Sequence, residues 1–403
     1  MKTIFVNNYY YIRGGAERVF FDEIAFLKSF GHEVMTFSMH YKDNFYSEFS
    51  RFFASQIEYR NVSFVRKLLS GMEMIYSRKC RRRFSGLLDY FKPDLIHAHN
   101  IYGRLTSSII DAAKEDKVPV VMTLHDYKLI CPSYLMLCKG KVCEDCKYNN
   151  YKYCLLNMCH DNALIPSFLY TVESYFNFIF KKYEWIRFFI CPSKFNMRKH
   201  IEFGMPEEKL VHLPYSVNTL KYLPDFKVGQ HILFAGRIAK EKGLLTLIKA
   251  VENLDAILRI VGDGPMAAEC KEYAKTNNIS NVVFEGYKTG EELVELMKNS
   301  IFLVVPSEWY ENLPMVALEA FAYGKPVIGS NIGGIPEIVD ENENGLLFSP
   351  GDYLELREKI KYLIDRPSLI QEMGRRAREK AEKEYNPELH YQRLMSLYQK
   401  AMK

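Results

Sequence analysis

Glu311 and Glu319 stand eight positions apart in PSEWYENLPMVALEAFAYGKPVIGSNIGG, a segment that begins at Pro306. The apolar run Ile301 to Val305 before it reads as a buried strand, ended by Pro306 and Ser307. Pro314 sets the first turn of a helix that Gly324 stops near Tyr323. Glu311 is therefore expected in the loop before a helix N-terminus, beside Asn312 and Leu313, with Glu319 farther along that helix. Free N–H groups and the positive end of the helix dipole suit a phosphate there. Two acids flanking an anion site are well used if each grips hydroxyl groups. A nucleotide sugar offers hydroxyls on both sides of its diphosphate.

Other residues fit the same chemistry. Arg237 and Lys242 lie in AGRIAKEKG, where a strand ends and a helix begins. Two cations there would neutralise a departing diphosphate, and charge stabilisation of this kind is commonly the largest catalytic contribution. Gly262, in Gly262-Asp263-Gly264-Pro265, follows another strand and would let the backbone approach a nucleoside. Gly14 and Gly15 stand between the first strand and the first helix, again at an N-terminus that favours anions. Together these residues outline a mechanism. Arg237, Lys242 and the helix N-terminus near Asn312 and Leu313 would hold the leaving oxygens; Glu311 would hold sugar hydroxyls and Glu319 the ribose diol. No D-x-D triplet occurs, so a catalytic divalent metal on paired aspartates is not expected.

The elements that must position these groups alternate along the chain. KTIFVN, EVMTFSM, PDLIHAHN and PVVMTLHD read as strands, with a helix from Ala16 to Phe30 stopped by Gly31. Phe188 to Cys191 and VHLPYSV add two more strands before a polar, proline-bearing stretch. HILFAGR, AILRIVGDGP, NVVFEGY, IFLVVPS, KPVIGSN and GLLFSP then repeat the alternation with helices between them. Such alternation implies parallel, doubly wound α/β sheets. Strand-end residues line the ligand crevice of such sheets, which singles out Asn7, His99, Asn100, His125 and Asp126.

The E-x7-E pair, the Gly-Lys-Pro-Val strand and the Gly333-Gly334 loop resemble the signature of retaining glycosyltransferases of family 4. The resemblance covers most of residues 1–390 and is strongest from Ala235 to Phe348. It implies the GT-B arrangement, two Rossmann-like domains facing each other across a cleft. On this chain that gives an acceptor-binding domain over 1–217 and a nucleotide-sugar-binding domain over 218–385. A C-terminal helix at about 386–403 would return to the first domain. It also implies that His125 hydrogen-bonds the transferred sugar and that the Gly14-Gly15 loop closes over the donor phosphates. The acceptor would attack from the face the nucleotide leaves, with retention at the anomeric carbon. A growing polysaccharide or a lipid-linked glycan of the cell surface is the implied acceptor.

Nine cysteines are unevenly spread, six of them between Cys131 and Cys159. In a reduced compartment such crowding argues for metal before disulfides, and Cys143-Glu-Asp-Cys146 has knuckle spacing. The family resemblance maps a four-cysteine pattern onto Cys131, Cys143, Cys146 and Cys159, a structural zinc site inside an insertion at about 131–160. Free thiols in an irregular insertion are the alternative.

The remaining composition narrows the partners. With 48% apolar and 26% charged residues over 403 positions, the chain is an ordinary globular one, long enough for two cores. A net charge of +5 does not mark a nucleic-acid binder. No uncharged apolar run is long enough to span a bilayer, and MKTIFVNN enters a strand directly, so a cytoplasmic protein is expected. Seven cations lie between Arg66 and Arg83 against Glu73 alone, interleaved with apolar residues. That pattern suits a helix on an anionic membrane, the inner face of the cell membrane being the expected one, and equally a solvated helix on a domain core. The aromatic-rich stretch from Ile165 to Ile190 could share that surface. A different class of function, a non-catalytic sugar-nucleotide sensor reporting metal or redox state through its cysteines, fits the same residues and is separated by donor turnover.

Overall fold

The computed structural model describes residues 1–56 and 64–403, and for 64–69 the backbone alone. The chain divides into two compact units, Met1–Leu213 with Tyr391–Lys403, and Pro214–His390.

The first unit is built on β1 (Lys2–Val6), β2 (Glu33–Phe37), β3 (Leu95–Ala98) and β4 (Val120–Thr123). A small antiparallel hairpin, β5 (Leu137–Cys138) with β6 (Lys141–Val142), interrupts the series before β7 (Ile186–Cys191) and β8 (Leu210–His212). Six strands form one parallel sheet in the order β2-β1-β3-β4-β7-β8. β3 and β4 are buried along their whole length, because helices cover both faces of a parallel sheet. The helix Gly15–Ser29 ends where the sequence predicts, Gly31 adopting φ +77° and donating its N–H to Lys28 at 3.0 Å. Ser77 caps the helix Arg78–Phe91 by accepting the Cys80 N–H at 3.2 Å.

The second unit repeats the plan with β9 (His231–Ala235), β10 (Ile257–Val261), β11 (Val282–Gly286), β12 (Ser300–Val305), β13 (Val327–Ser330) and β14 (Gly345–Phe348). Its order is β11-β10-β9-β12-β13-β14, all parallel. The doubly wound α/β class expected from the alternation is therefore present twice. Ile232, Phe234, Leu258, Ile260, Phe302 and Val304 fill the core between this sheet and its helices.

The helix Pro387–Ala401 closes the first unit. Leu394, Leu397, Tyr398 and Ala401 are buried against Phe5, Phe20, Leu27 and Leu95. The Tyr398 hydroxyl lies 2.7 Å from His97 Nδ1 in that core. Of the basic run, Arg66 and Lys67 have side chains outside the described set. Arg78, Lys79, Arg82 and Arg83 are exposed. No helix among the described residues is long and apolar enough to cross a membrane.

Candidate active site

The second sheet reverses its winding between β9 and β12, and open α/β sheets take ligands outside the carboxyl ends of the strands at such a reversal. Lys242 follows β9 and Glu311 follows β12, so neighbouring strands deliver residues 69 positions apart to one place. Lys242 Nζ lies 2.5 Å from Glu311 Oε1, and Ser307 Oγ donates to the same oxygen at 2.7 Å. Burial alone would push the Glu311 carboxyl up. The charge of Lys242, with hydrogen bonds from Lys242 and Ser307, outweighs it and holds the carboxyl below its ordinary value. Glu311 is thus an ionised, acceptor-only group, suited to hydroxyl donors.

The backbone around Glu311 is fixed from below. Gly334 donates its N–H to the Glu311 carbonyl at 2.7 Å, and Gly333 adopts φ +64°. A Cβ on Gly333 would fall 2.3 Å from that carbonyl oxygen and 2.6 Å from the Glu311 nitrogen. Gly333→Ala is expected to cost about 1–3 kcal/mol from backbone strain alone. Urea unfolding of the variant measures the loss.

Asn312 and Leu313 are buried between Glu311 and the helix Met315–Ala322, which carries a buried Glu319. Pro314 stands at the cap of this helix and Gly324 ends it at φ +74°. Arg237 is 57% exposed and pairs with Glu241 four residues on. The Glu241 side chain is 9% exposed, so the guanidinium is the solvent-facing half of the pair and the half that an incoming anion would meet. Gly262 ends β10 so close to β9 that a Cβ would fall 1.9 Å from the Gly236 carbonyl oxygen. The fold itself demands glycine there, a reason the sequence did not reveal. Sequence reading also missed Ser307 and the bond from Thr246 Oγ1 to Glu308 at 2.5 Å, polar residues without a motif to mark them.

In the first unit His125 follows β4, and its Nε2 lies 2.7 Å from Nδ1 of His99. Burial pushes His125 down to about 3, the nearby Glu23 carboxylate opposing the shift. His125 is therefore neutral through the physiological range. His99, expected to line a crevice, has no exposed surface. It lies against the rings of Phe5 and Phe20. Asn7 and Asn100 are tied together, Asn7 Oδ1 accepting the Asn100 N–H at 3.1 Å. Burial raises Asp126 to about 6. Gly14 precedes the helix Gly15–Ser29 in open space, with nothing within 4 Å of a Cβ built on it. No neighbour in the chain requires glycine at that position. A cavity of about 600 Å³, lined by Tyr102, Leu129, Ile130, Phe178 and Ile179 among others, opens in the same unit.

All nine cysteines are free thiols. Their interactions join Cys131, Cys146, Cys154 and Cys159: the Cys146 thiol holds Cys131 below the ordinary thiol range, Cys159 does the same to Cys154, and Cys146 also lies within electrostatic reach of Cys154 and Cys159. Cys143 is half-buried, and burial raises its thiol to about 11. Among the described residues, one set of three His, Cys, Asp or Glu side chains has ligand atoms converging within 4.8 Å, and it is Glu23, His97 and His99. The sulfurs of Cys131, Cys143, Cys146 and Cys159 do not form such a set.

Comparison with known proteins places these features in company. Residues 13–220 match the family described as Glycosyltransferase Family 4, and residues 226–380 match Glycosyl transferases group 1. An uncharacterized glycosyltransferase of Methanocaldococcus jannaschii is 35% identical over 159 residues, 40% of this chain and 44% of that protein. The sulfoquinovosyl transferase of Arabidopsis thaliana is 28% identical over 306 residues, 73% of this chain and 54% of that one. The chain thus spans about half the length of these curated relatives. In fold, it is similar to Anabaena HepE, solved with UDP and glucose, at TM-score 0.69 and 16% identity over 99% of this chain and 100% of that one.

Proposed function

The chain belongs to glycosyltransferase family 4, and from that premise we propose that it moves a sugar from a nucleoside-diphosphate sugar to a polysaccharide or lipid-linked glycan with retention at the anomeric carbon. The observation that carries the reading is the Lys242–Glu311–Ser307 cluster at the winding reversal of the second sheet. Lys242 presents a cation where a diphosphate would arrive, and an ammonium has three donors to share between Glu311 and a phosphate oxygen. As the glycosidic bond breaks, charge on the diphosphate grows and that interaction strengthens, which is the requirement for catalysis. Glu311 holds sugar hydroxyls, Glu319 the ribose diol, and Arg237 and the backbone at Asn312 and Leu313 the phosphates. Gly14, Gly15 and Gly262 provide backbone approach to the donor, and His125 bonds the sugar. The departing phosphate takes the acceptor's proton on the same face.

A lipid-linked acceptor is supported by the apolar cavity of the first unit, whose size lies in the range of small-molecule sites. Ile165, Ile179 and Phe180 are exposed on and just beyond the helix Leu164–Ile179, and Arg78, Arg82 and Arg83 are exposed nearby in sequence to its partner helix Phe64–Ile75. Apolar and cationic groups of this kind support peripheral contact with an anionic membrane on its cytoplasmic face. A structural zinc on the cysteine insertion would require the sulfurs of Cys131, Cys143, Cys146 and Cys159 to draw together from the positions they hold, and it takes no step in the reaction.

Thermal stabilisation by a panel of nucleoside-diphosphate sugars, UDP sugars first, tests the reading. A ligand at 100 times its Kd adds about 2.7 kcal/mol to native stability. The expected result is one donor that stands out and slowly releases its nucleotide. Stabilisation with no release, even with membrane extract as acceptor source, would instead establish a sensor.

A further inference from the structure

Three adjacent strands of the first sheet hand residues over its carboxyl edge to a patch that the donor chemistry does not use. Tyr9 stands three positions past β1, Tyr41 four past β2 and Arg104 six past β3. The Tyr9 and Tyr41 rings are 5.0 Å apart, and Tyr11 meets both edge-on at 5.6 and 5.8 Å. The Arg13 guanidinium lies 4.1 Å from the centre of the Tyr9 ring. Arg104 lies 5.6 Å from that ring and 5.9 Å from Tyr41. Hydrogen bonds pin these loops to one another. Asn8 donates from Nδ2 to the Tyr102 carbonyl at 3.0 Å and accepts the Leu105 N–H at 3.2 Å. Phe45 donates its N–H to the Tyr10 carbonyl at 2.9 Å.

Two guanidinium groups on one ring concentrate like charge, and the chain leaves it unbalanced. Arg104 Nε donates to the Tyr9 hydroxyl at 2.9 Å. Among the described residues the other guanidinium N–H groups of Arg104 and Arg13 make no hydrogen bond, and neither arginine has an ion-pair partner. Glu17 feels the charge of Arg13, and Tyr11 that of Asp43, without closing such a pair. Burial raises the Tyr11 and Tyr41 hydroxyls, so both stay protonated and supply no negative charge. A structural cation–π contact needs one cation per ring. A second, with no acid to balance it, adds repulsion that a bound anion relieves. The planar fork of a guanidinium matches a carboxylate or a phosphate. Arg13 is exposed, and the three tyrosines and Arg104 are half-buried, so the patch meets solvent. Aromatic faces there suit the C–H face of a sugar ring, and phenol hydroxyls suit its hydroxyls.

We propose that this patch selects an acceptor whose sugar carries an anionic group, held by Arg13 and Arg104 while Tyr9, Tyr11 and Tyr41 take the sugar ring. The inference rests on the transferase reading for calling the ligand an acceptor, though not for its binding test. The anion has two sources, a uronate within a glycan or the diphosphate that ties a sugar to a lipid.

The test is titration calorimetry of the full chain, with and without UDP, against three probes. They are a tetrasaccharide of glucuronate and N-acetylglucosamine, its neutral methyl ester, and N-acetylglucosamine joined through diphosphate to a farnesyl chain. One anionic probe is expected to bind at least about tenfold more tightly than the ester, and Arg13→Gln and Arg104→Gln should each lose about that factor. Preference for the uronate assigns a glycan acceptor, and preference for the diphosphate a lipid-linked one. Arg13→Gln, at an exposed position, should leave the melting temperature unchanged, which separates a lost contact from a lost fold. Binding of neither anionic probe above the ester, or affinities unmoved in both arginine variants, overturns the proposal. The expected binding in a chain that turns over no donor would leave the anion subsite standing and remove the transferase reading instead.

Discussion

Lys242→Met is expected to slow sugar transfer by a factor of about 10² to 10³, the usual consequence of removing one preorganised group from the site of developing charge. The measurement is nucleotide release from the stabilising donor under saturating conditions. A second effect falls on Glu311. Lys242 is the partner that keeps Glu311 ionised in a buried position. Without it burial dominates, and the Glu311 carboxyl moves from below its ordinary value to above it. In the native chain the lowered Glu311 contributes stability that is present above the unfolded carboxyl range and lost as pH falls through its folded value. In Lys242→Met that contribution reverses, so the variant should be destabilised at pH 7 and regain relative stability toward pH 4. A cost approaching about 3 kcal/mol at pH 7 is expected, at the low end for a broken buried pair because the Lys242 side chain keeps 25% of its surface. Urea unfolding at the two pH values reads this directly.

Glu311→Gln should separate the two functions of that pair. Glutamine keeps the length and one acceptor oxygen, but it supplies no charge to Lys242 and accepts fewer hydroxyl bonds. The expected result is a fall in transfer of about 100-fold with nucleotide affinity within about twofold, because the proposed reading gives the nucleotide to Glu319 and the helix N-terminus. Lys242→Met combined with Glu311→Gln should cost less than the product of the single effects, as groups in direct contact act as a unit. Full additivity, or undiminished transfer in Glu311→Gln, would remove Glu311 from the site.

The strands were legible because apolar runs bounded by Gly, Pro and Asn keep their period whatever the tertiary context. The winding of the second sheet was not, and with it went the meeting of Lys242 with Glu311. Nothing local says that β9 lies beside β12 and not beside a later strand. Glu311 itself could be found, since it sits in a motif before a proline-started helix. Glu23 could not: an acid in an amphipathic helix reads as a surface residue, and only packing turns it inward. His99 departs from its expected place for the complementary reason. A strand-end position points to a ligand crevice, whereas Phe5 and Phe20 wrap His99 into the core. The cysteines show the same limit, because spacing cannot say that Cys131, Cys146, Cys154 and Cys159 gather.

The closure of the first unit by residues 391–403 sets a timetable for the growing chain. Phe5, Phe20, Leu27 and Leu95 leave the ribosome early, yet Leu394 and Tyr398, which seal them, are made about 180 residues after Leu213. At roughly 5–20 residues per second that delay is on the order of 10–40 seconds. Throughout it the second unit can complete itself, being continuous from Pro214 to His390, while the first waits with an apolar flank uncovered. The half of the molecule translated first is thus the last to finish. A nascent chain stalled short of Leu394 would be a natural client for a chaperone that recognises exposed aromatic and aliphatic surface.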